Sequence, residues 1–142
     1  MLISTKGRYA VRVMLALATR DNKEYVTLDA IAKDQEISEK YLESIVAVLS
    51  KAGLVESVRG KGGGYRLCRP PEDYPVGEIL RATEGGLAPV ACLECGAKPC
   101  PRAAECRTLP MWKKYYAMTN EFFDGISIAD LMKNGASYDY VI

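Results

Sequence analysis

Residues 51–67 read KAGLVESVRGKGGGYRL. LVESV and, at 65–68, YRLC alternate apolar and polar side chains, the pattern of strands with one face buried. Between them lies RGKGGG, whose four glycines (60, 62, 63 and 64) permit backbone angles and close approaches that side chains forbid. Together they predict a β-hairpin with a flexible tip. The glycines fit neither G-x-x-x-x-G-K-[ST] nor G-x-G-x-x-G, and no strand-to-helix context surrounds them, so a phosphate-binding loop is excluded.

Upstream, the sequence is helical. Ser4 and Thr5 can cap a helix in which Tyr9, Ala10, Val13, Met14 and Leu17 recur at helical spacing up to about Thr19. Thr27 precedes LDAIAKDQE, with Leu28, Ile31 and Ala32 on one stripe. Ile37 and Ser38 interrupt it, and Ser38 heads a longer helix with Tyr41, Leu42, Ile45, Val48 and Leu49 on a common face. Gly53 stands where a left-handed stop belongs. Three helices followed by a hairpin make a winged helix-turn-helix; a helical core with an incidental hairpin is the alternative on pattern alone.

Downstream, PVGEILRATEG (75–85) predicts a short helix ended by Gly85 and Gly86, and residues 87–107, with three prolines and four of the five cysteines, read as irregular. Pro110 suits the first turn of a further helix in which Leu109, Met111, Trp112, Tyr115, Tyr116, Thr119, Phe122 and Phe123 are apolar almost all round up to Gly125. SIAD at 127–130 is a capping-box start to a final turn or two ending at Asn134 and Gly135, and ASYDYVI reads as a loose tail. The fold class expected is therefore mainly α with a small β-hairpin: a winged helix-turn-helix domain over 1–84, a cysteine-rich loop over 85–108, and a long dimerisation helix with its tail over 109–142.

Composition narrows the chemistry. At 142 residues and 49% hydrophobic, the chain can bury a core. Lys6, Arg8 and Arg12 interrupt the apolar start, which matches neither a signal peptide nor a membrane span, so a cytoplasmic protein with no membrane partner is expected. In a reducing cytosol, clustered cysteines point to metal ligation or redox chemistry rather than structural disulfides. With no histidine, no nucleophile elbow and no paired acids in a recognisable frame, neither an enzyme nor a small-molecule substrate is expected. The net charge is only +1, but residues 1–69 hold 12 Lys and Arg against 8 Asp and Glu, whereas residues 70–142 hold 7 against 10. The first half is the side suited to a polyanion.

The opening ISTKGRYAVRVMLALA, the run EISEKYLESIVAVLSKAGLVESVRGKGGGYRL, and the cysteine group followed by a long helix resemble the IscR, NsrR and RirA type of bacterial regulator, the Rrf-two family. The resemblance spans nearly the whole chain and is most specific over KAGLVESVRGKGGGYRL. It implies a homodimeric repressor or activator that binds double-stranded operator DNA, often with an iron-sulfur cluster as sensor.

In such a fold the second helix of the motif enters the major groove by its N-terminal residues. Here these are Ser38, Glu39, Lys40, Tyr41, Glu43 and Ser44, with Leu42 structural. Glu43 can accept from the amino group of cytosine and repel phosphate, which makes it a discriminator. Arg59 and Lys61 on the wing, beside Gly62 and Gly63, can reach a narrow minor groove; Lys6 and Arg8 are candidate phosphate contacts. Two reading heads require a dimer surface, expected from Leu109, Trp112, Tyr115, Tyr116, Thr119, Phe122 and Phe123, although the same stripe could pack within one chain.

Cys92, Cys95, Cys100 and Cys106 follow C-x2-C-x4-C-x5-C, a density of soft thiolates suited to an iron-sulfur cluster, 2Fe-2S or 4Fe-4S, or alternatively to zinc. Cys92, Cys100 and Cys106 correspond to the three-cysteine ligand set that the resemblance implies. The family's fourth ligands do not carry over: Arg107 and Thr108 stand where a histidine follows the third cysteine, and Arg8 lies near the place of an N-terminal aspartate. Cys95 is the local replacement expected, with a hydroxyl, a backbone group, an acidic residue such as Glu94 or Glu105, or an open iron position as the alternatives. Cys68, isolated at a strand end, is expected to fill a small core site. The function read from the sequence is a DNA-binding regulator, a repressor by expectation, modulated by a cluster that senses iron, redox state, nitric oxide or cluster status. A zinc-bound or thiol-switch regulator is the alternative, followed by a small electron-transfer protein.

Overall fold

The computed structural model describes residues 2–20 and 24–134. Its helices are α1 (Thr5–Ala18), α2 (Leu28–Gln35), α3 (Glu39–Lys51), α4 (Val76–Glu84), α5 (Leu109–Asp124) and α6 (Ile128–Met132), with strands β1 (Val55–Val58) and β2 (Gly64–Leu67) between α3 and α4. The tail 136–142 lies outside the described residues.

Side-chain caps start four of the helices. The hydroxyls of Ser4, Thr27 and Ser38 accept from the amides of Gly7, Ala30 and Tyr41 at 3.1, 3.1 and 3.2 Å. Ser127 and Asp130 satisfy each other's amides in a capping box. Each such cap stabilises its helix by about 0.5–2 kcal/mol. The final helix ends at Met132, slightly short of the expected Asn134, and Gly135 lies outside the described residues.

β1 and β2 pair antiparallel from Val55 opposite Leu67 to Val58 opposite Gly64. A third segment joins them, since Val26 and Tyr65 exchange both backbone hydrogen bonds at 2.8 Å. Gly64 makes this approach possible: it has φ +147°, and a Cβ there would run into the Val26 carbonyl. The register turns Val55 and Leu67 inwards and leaves Cys68 outside. The expected core role of Cys68 is therefore corrected: alternation carries its side chain to the opposite face from Leu67, where the thiol reaches the Gly53 carbonyl at 3.7 Å.

The core joins Ala10, Val13, Met14 and Leu17 of α1 to Leu42, Ile45, Val46 and Leu49 of α3, closed by Leu54, Leu67, Tyr74 and Ile79. Ile128 of α6 is fully enclosed in the same cluster, so the chain returns from α5 to the helix-turn-helix. A smaller cluster of Val76, Leu80 and Leu87 takes in Tyr116 and Phe123, fixing α5 on α4. Arg81 of α4 reinforces that contact through Asn120 and Asp124 at 3.2 and 2.6 Å. α1 crosses α4 closely at Gly7, where an added Cβ would collide with Glu84, while Ser4 binds the Glu84 carboxylate through its amide and its hydroxyl at 3.0 and 2.6 Å. No helix among the described residues is long and apolar enough to cross a membrane.

Candidate nucleic-acid interface and cysteine hollow

The amphipathic pattern of α3 buries Leu42, Ile45, Val46 and Leu49 and turns its first turn outwards. Ser38, Glu39, Lys40, Glu43 and Ser44 are exposed. Tyr41 is half-buried, with its ring edge-on to Tyr9 at 5.9 Å and 64°. The exposed residues present a mixed set of donors and acceptors, the kind that base edges require.

The wing tip, residues 59–63, exposes Arg59 and Lys61. Gly62 has φ +78°, and Gly63 packs against the backbone of Val58 and Gly60, its amide donating to the Gly60 carbonyl at 3.0 Å. Lys6 is half-buried in the first turn of α1; Arg8 is exposed and donates to the Thr5 hydroxyl at 3.2 Å.

The base of the wing holds a network that the sequence reading missed. Tyr74, fully buried, donates to the Leu54 carbonyl at 2.7 Å and accepts from the amides of Cys68 and Arg69 at 2.9 and 3.1 Å. The Arg69 guanidinium lies over the Tyr74 ring at 4.8 Å and grips Glu78 with two bonds of 2.8 and 3.0 Å. Hydrogen bonding to Arg69 holds the Glu78 carboxyl below its usual range, and hydrogen bonding to Glu78 raises Arg69. Burial pushes the Tyr74 phenol up. The spacing of these residues matches no periodic pattern, so the sequence offered no signal for them.

The four clustered cysteines separate into three and one. Cys92, Cys100 and Cys106 line one hollow of about 210 Å³, with Leu109 and Lys113 of α5 at its side. Cys95 lines a different hollow of about 430 Å³, beside Glu84, Glu94 and Tyr116. Cys92, Cys95 and Cys100 are exposed and Cys106 is partly covered. The Cys106 sulfur lies 3.4 Å from the Thr108 hydroxyl. Hydrogen bonding from the Thr108 side chain, then from its backbone, lowers the Cys106 thiol and favours the thiolate. Among the described residues no three His, Cys, Asp or Glu side chains are gathered tightly enough to hold a metal ion.

On α5 the apolar residues form two adjacent stripes. Tyr116, Thr119 and Phe123 face the chain's own α4 side. Met111, Tyr115, Met118 and Phe122 are exposed at 54, 43, 58 and 63%. Trp112 and Leu109 are half-buried. The residues expected at the dimer surface thus divide between an inner face and an outer one, and Met111 and Met118 of the outer face were absent from the expected set.

Comparison with known proteins places this arrangement. The family model described as Rrf2, iron-dependent transcriptional regulator, matches residues 3–134. The chain belongs to the Rrf2 family. A relative called protein rrf2, from Nitratidesulfovibrio vulgaris, is 40% identical over 96% of this chain and 90% of its own length. The transcriptional regulator IscR of Aliivibrio salmonicida is 39% identical over 93% of this chain and 77% of its own. Among solved structures, CymR, described as the global cysteine regulator of B. subtilis, superposes with a TM-score of 0.74 at 36% identity, covering 94% of this chain and 97% of that one. IscR of T. potens superposes with 0.72 at 38% identity, covering 99% and 94%. This Rrf2 member shares their winged-helix fold and is a DNA-binding transcriptional regulator, not an enzyme.

Proposed function

We propose that two copies of this chain pair through α5 and repress transcription from a duplex operator, with an affinity set by an iron-sulfur cluster on Cys92, Cys100 and Cys106. The observation that carries the reading is the convergence of three thiols on one hollow at the start of α5. As donors the three soft sulfurs suit a cluster, whose binding would draw them closer together than the structure places them. Such a cluster, when bound, supplies iron whose oxidation, nitrosylation or loss changes the charge and the restraint on the loop. The three-part division of the chain belongs to this proposal: a reading head over 1–84, a sensing loop over 85–108 and a pairing arm from 109 onwards.

The chain's own residues carry the consequence. The loop joins the end of α4 to the start of α5, and Tyr116 and Phe123 tie α5 back to Val76 and Leu80 beneath the head. Restraining or releasing the loop therefore biases the angle between two heads. A coupling of about 1–3 kcal/mol would change operator occupancy from several-fold to over a hundredfold. Ser38, Glu39, Lys40, Tyr41 and Glu43 read the major groove in this account. Arg59 and Lys61, carried by Gly62 and Gly63, follow the minor groove, and Lys6 and Arg8 hold phosphates.

Anaerobic purification with quantification of iron, sulfide and zinc tests the reading. Wild type should carry iron and sulfide, Cys92→Ala, Cys100→Ala and Cys106→Ala should lose them, and holo and stripped protein should differ in operator affinity. Retention by Cys95→Ala would fix the cysteine ligands at three and leave any fourth ligand to a non-thiol group; its loss would add Cys95 as the fourth. Stoichiometric zinc without sulfide would replace the cluster with the zinc-bound alternative. Equal affinities for holo protein and the Cys100→Ala variant would rule out sensing at this site.

A further inference from the structure

The corner between α2 and α3 contains the only described non-glycine residue with positive φ, Glu36, at φ 55° and ψ 44°. A side chain in this region is disfavoured by roughly 1–2 kcal/mol. The turn also leaves the last carbonyls of α2 short of helical partners. One of them, the Gln35 carbonyl, accepts from the Arg12 guanidinium of α1 at 2.5 Å, and the Gln35 side-chain oxygen accepts from Arg12 Nε at 3.1 Å. Asp34 holds the Gln35 amide by its nitrogen at 2.8 Å, which turns the oxygen towards Arg12.

The same guanidinium lies 4.9 Å from the centre of the Tyr9 ring, and Tyr9 meets Tyr41 edge-on. Tyr41 belongs to the first turn of α3, the turn that faces bases in the proposed complex. An unbroken set of contacts thus runs from α1 through the end of α2 and across two aromatic rings to α3.

We propose that Arg12 is a positioning residue for sequence reading: it holds the α2–α3 corner and, through Tyr9 and Tyr41, the attitude of the recognition helix, without itself contacting DNA. The inference rests on the proposed placement of α3 in the major groove. Arg12 is exposed, and two of its five guanidinium N–H groups and one face are committed inside the chain, so the brace stands without the remaining N–H groups and the salt series separates it from a phosphate contact. A cation at the end of α2 is also favoured by the helix dipole.

The test compares wild type, Arg12→Ala and Arg12→Lys, each as the full chain, on a duplex selected by wild type from a random library and on a shuffled duplex, across a salt series. Failure of wild type to select any duplex would sink the proposed reading mode itself. If wild type selects one, a positioning role predicts that both variants lose roughly tenfold in preference for the selected duplex, the order of one lost base contact. Affinity for the shuffled duplex and the salt slope should stay at wild-type values. Lysine should not rescue, because it lacks the planar fork and the stacking face. A phosphate role predicts otherwise: equal weakening on both duplexes, a salt slope smaller by about one for Arg12→Ala, and rescue by Arg12→Lys. Either that pattern or wild-type preference in both variants overturns the inference.

Discussion

Tyr74 shows how one side chain can join two parts of this molecule. Its hydroxyl satisfies the Leu54 carbonyl before β1 and two amides after β2, so both ends of the hairpin close on one oxygen. Tyr74→Phe keeps the ring and removes those bonds, leaving buried groups unpaired at about 1–3 kcal/mol. Urea unfolding should show that loss with an unchanged slope; a midpoint equal to wild type would mean that water replaces the hydroxyl. The neighbouring Glu78 gives the pH dependence. Its carboxyl is depressed in the folded chain by Arg69, so its contribution is present above the ordinary carboxylate pKa and is lost as pH falls through the folded value. Glu78→Gln should therefore flatten the acid limb of a stability-against-pH curve. Tyr74 acts in the opposite direction: its raised pKa means that the folded state holds the proton longer, so stability falls as pH rises past about 10.

At the scale of elements, α5 separates what periodicity can tell from what it cannot. Met111, Tyr115, Met118 and Phe122 repeat at steps of four, three and four, and Trp112, Tyr116, Thr119 and Phe123 repeat in the same steps one residue later. The helix was legible because both stripes are apolar; which stripe turns inwards was not, because neither is more apolar than the other. Only the position of Val76, Leu80 and Leu87 on the far side decides it. The cysteine loop poses a related difficulty: spacing alone does not divide four thiols in fifteen positions, and only the family resemblance singled out Cys92, Cys100 and Cys106, the three that share a hollow while Cys95 lines another. The caps were legible throughout, since Ser4, Thr27, Ser38 and Ser127 act on amides three residues away and need no tertiary partner. The division of α5 predicts two classes of variant. Met118→Glu or Phe122→Glu, on the outer stripe, should leave the helical signal and melting of the single chain intact and shift sedimentation towards monomer. Phe123→Ala, on the inner stripe, should destabilise the fold by up to about 3–5 kcal/mol, less to the extent that the ring is already part-exposed. Reversal of the two phenotypes would place the pairing surface elsewhere.

For the molecule as a whole, the useful quantity is the stiffness between the proposed reading head and the proposed pairing arm. α4 packs on α1 through the Gly7 crossing and on α5 through Val76, Leu80, Tyr116 and Phe123, with Arg81 bonded to Asn120 and Asp124 across the same seam. Among the described residues the cysteine loop joins α4 to α5 beside this seam, so its restraint or release tilts α5 against the head through the seam without giving either independent freedom. Two such heads related by a two-fold axis would meet successive major grooves at about 34 Å. A stiff frame makes a specific prediction about spacer length in the operator. Adding about five base pairs between half-sites rotates one site by half a turn and should reduce binding to that of a single half-site. Adding a full turn of about ten base pairs restores the rotational face but increases the separation by another 34 Å, so a stiff dimer should still bind as if to one half-site. Heads on flexible tethers would recover affinity with the full turn. Electrophoretic titration of the three operators separates the cases: recovery at ten base pairs would show that the α4–α5 seam opens, whereas equal affinity on all three would remove paired reading as the mode of recognition.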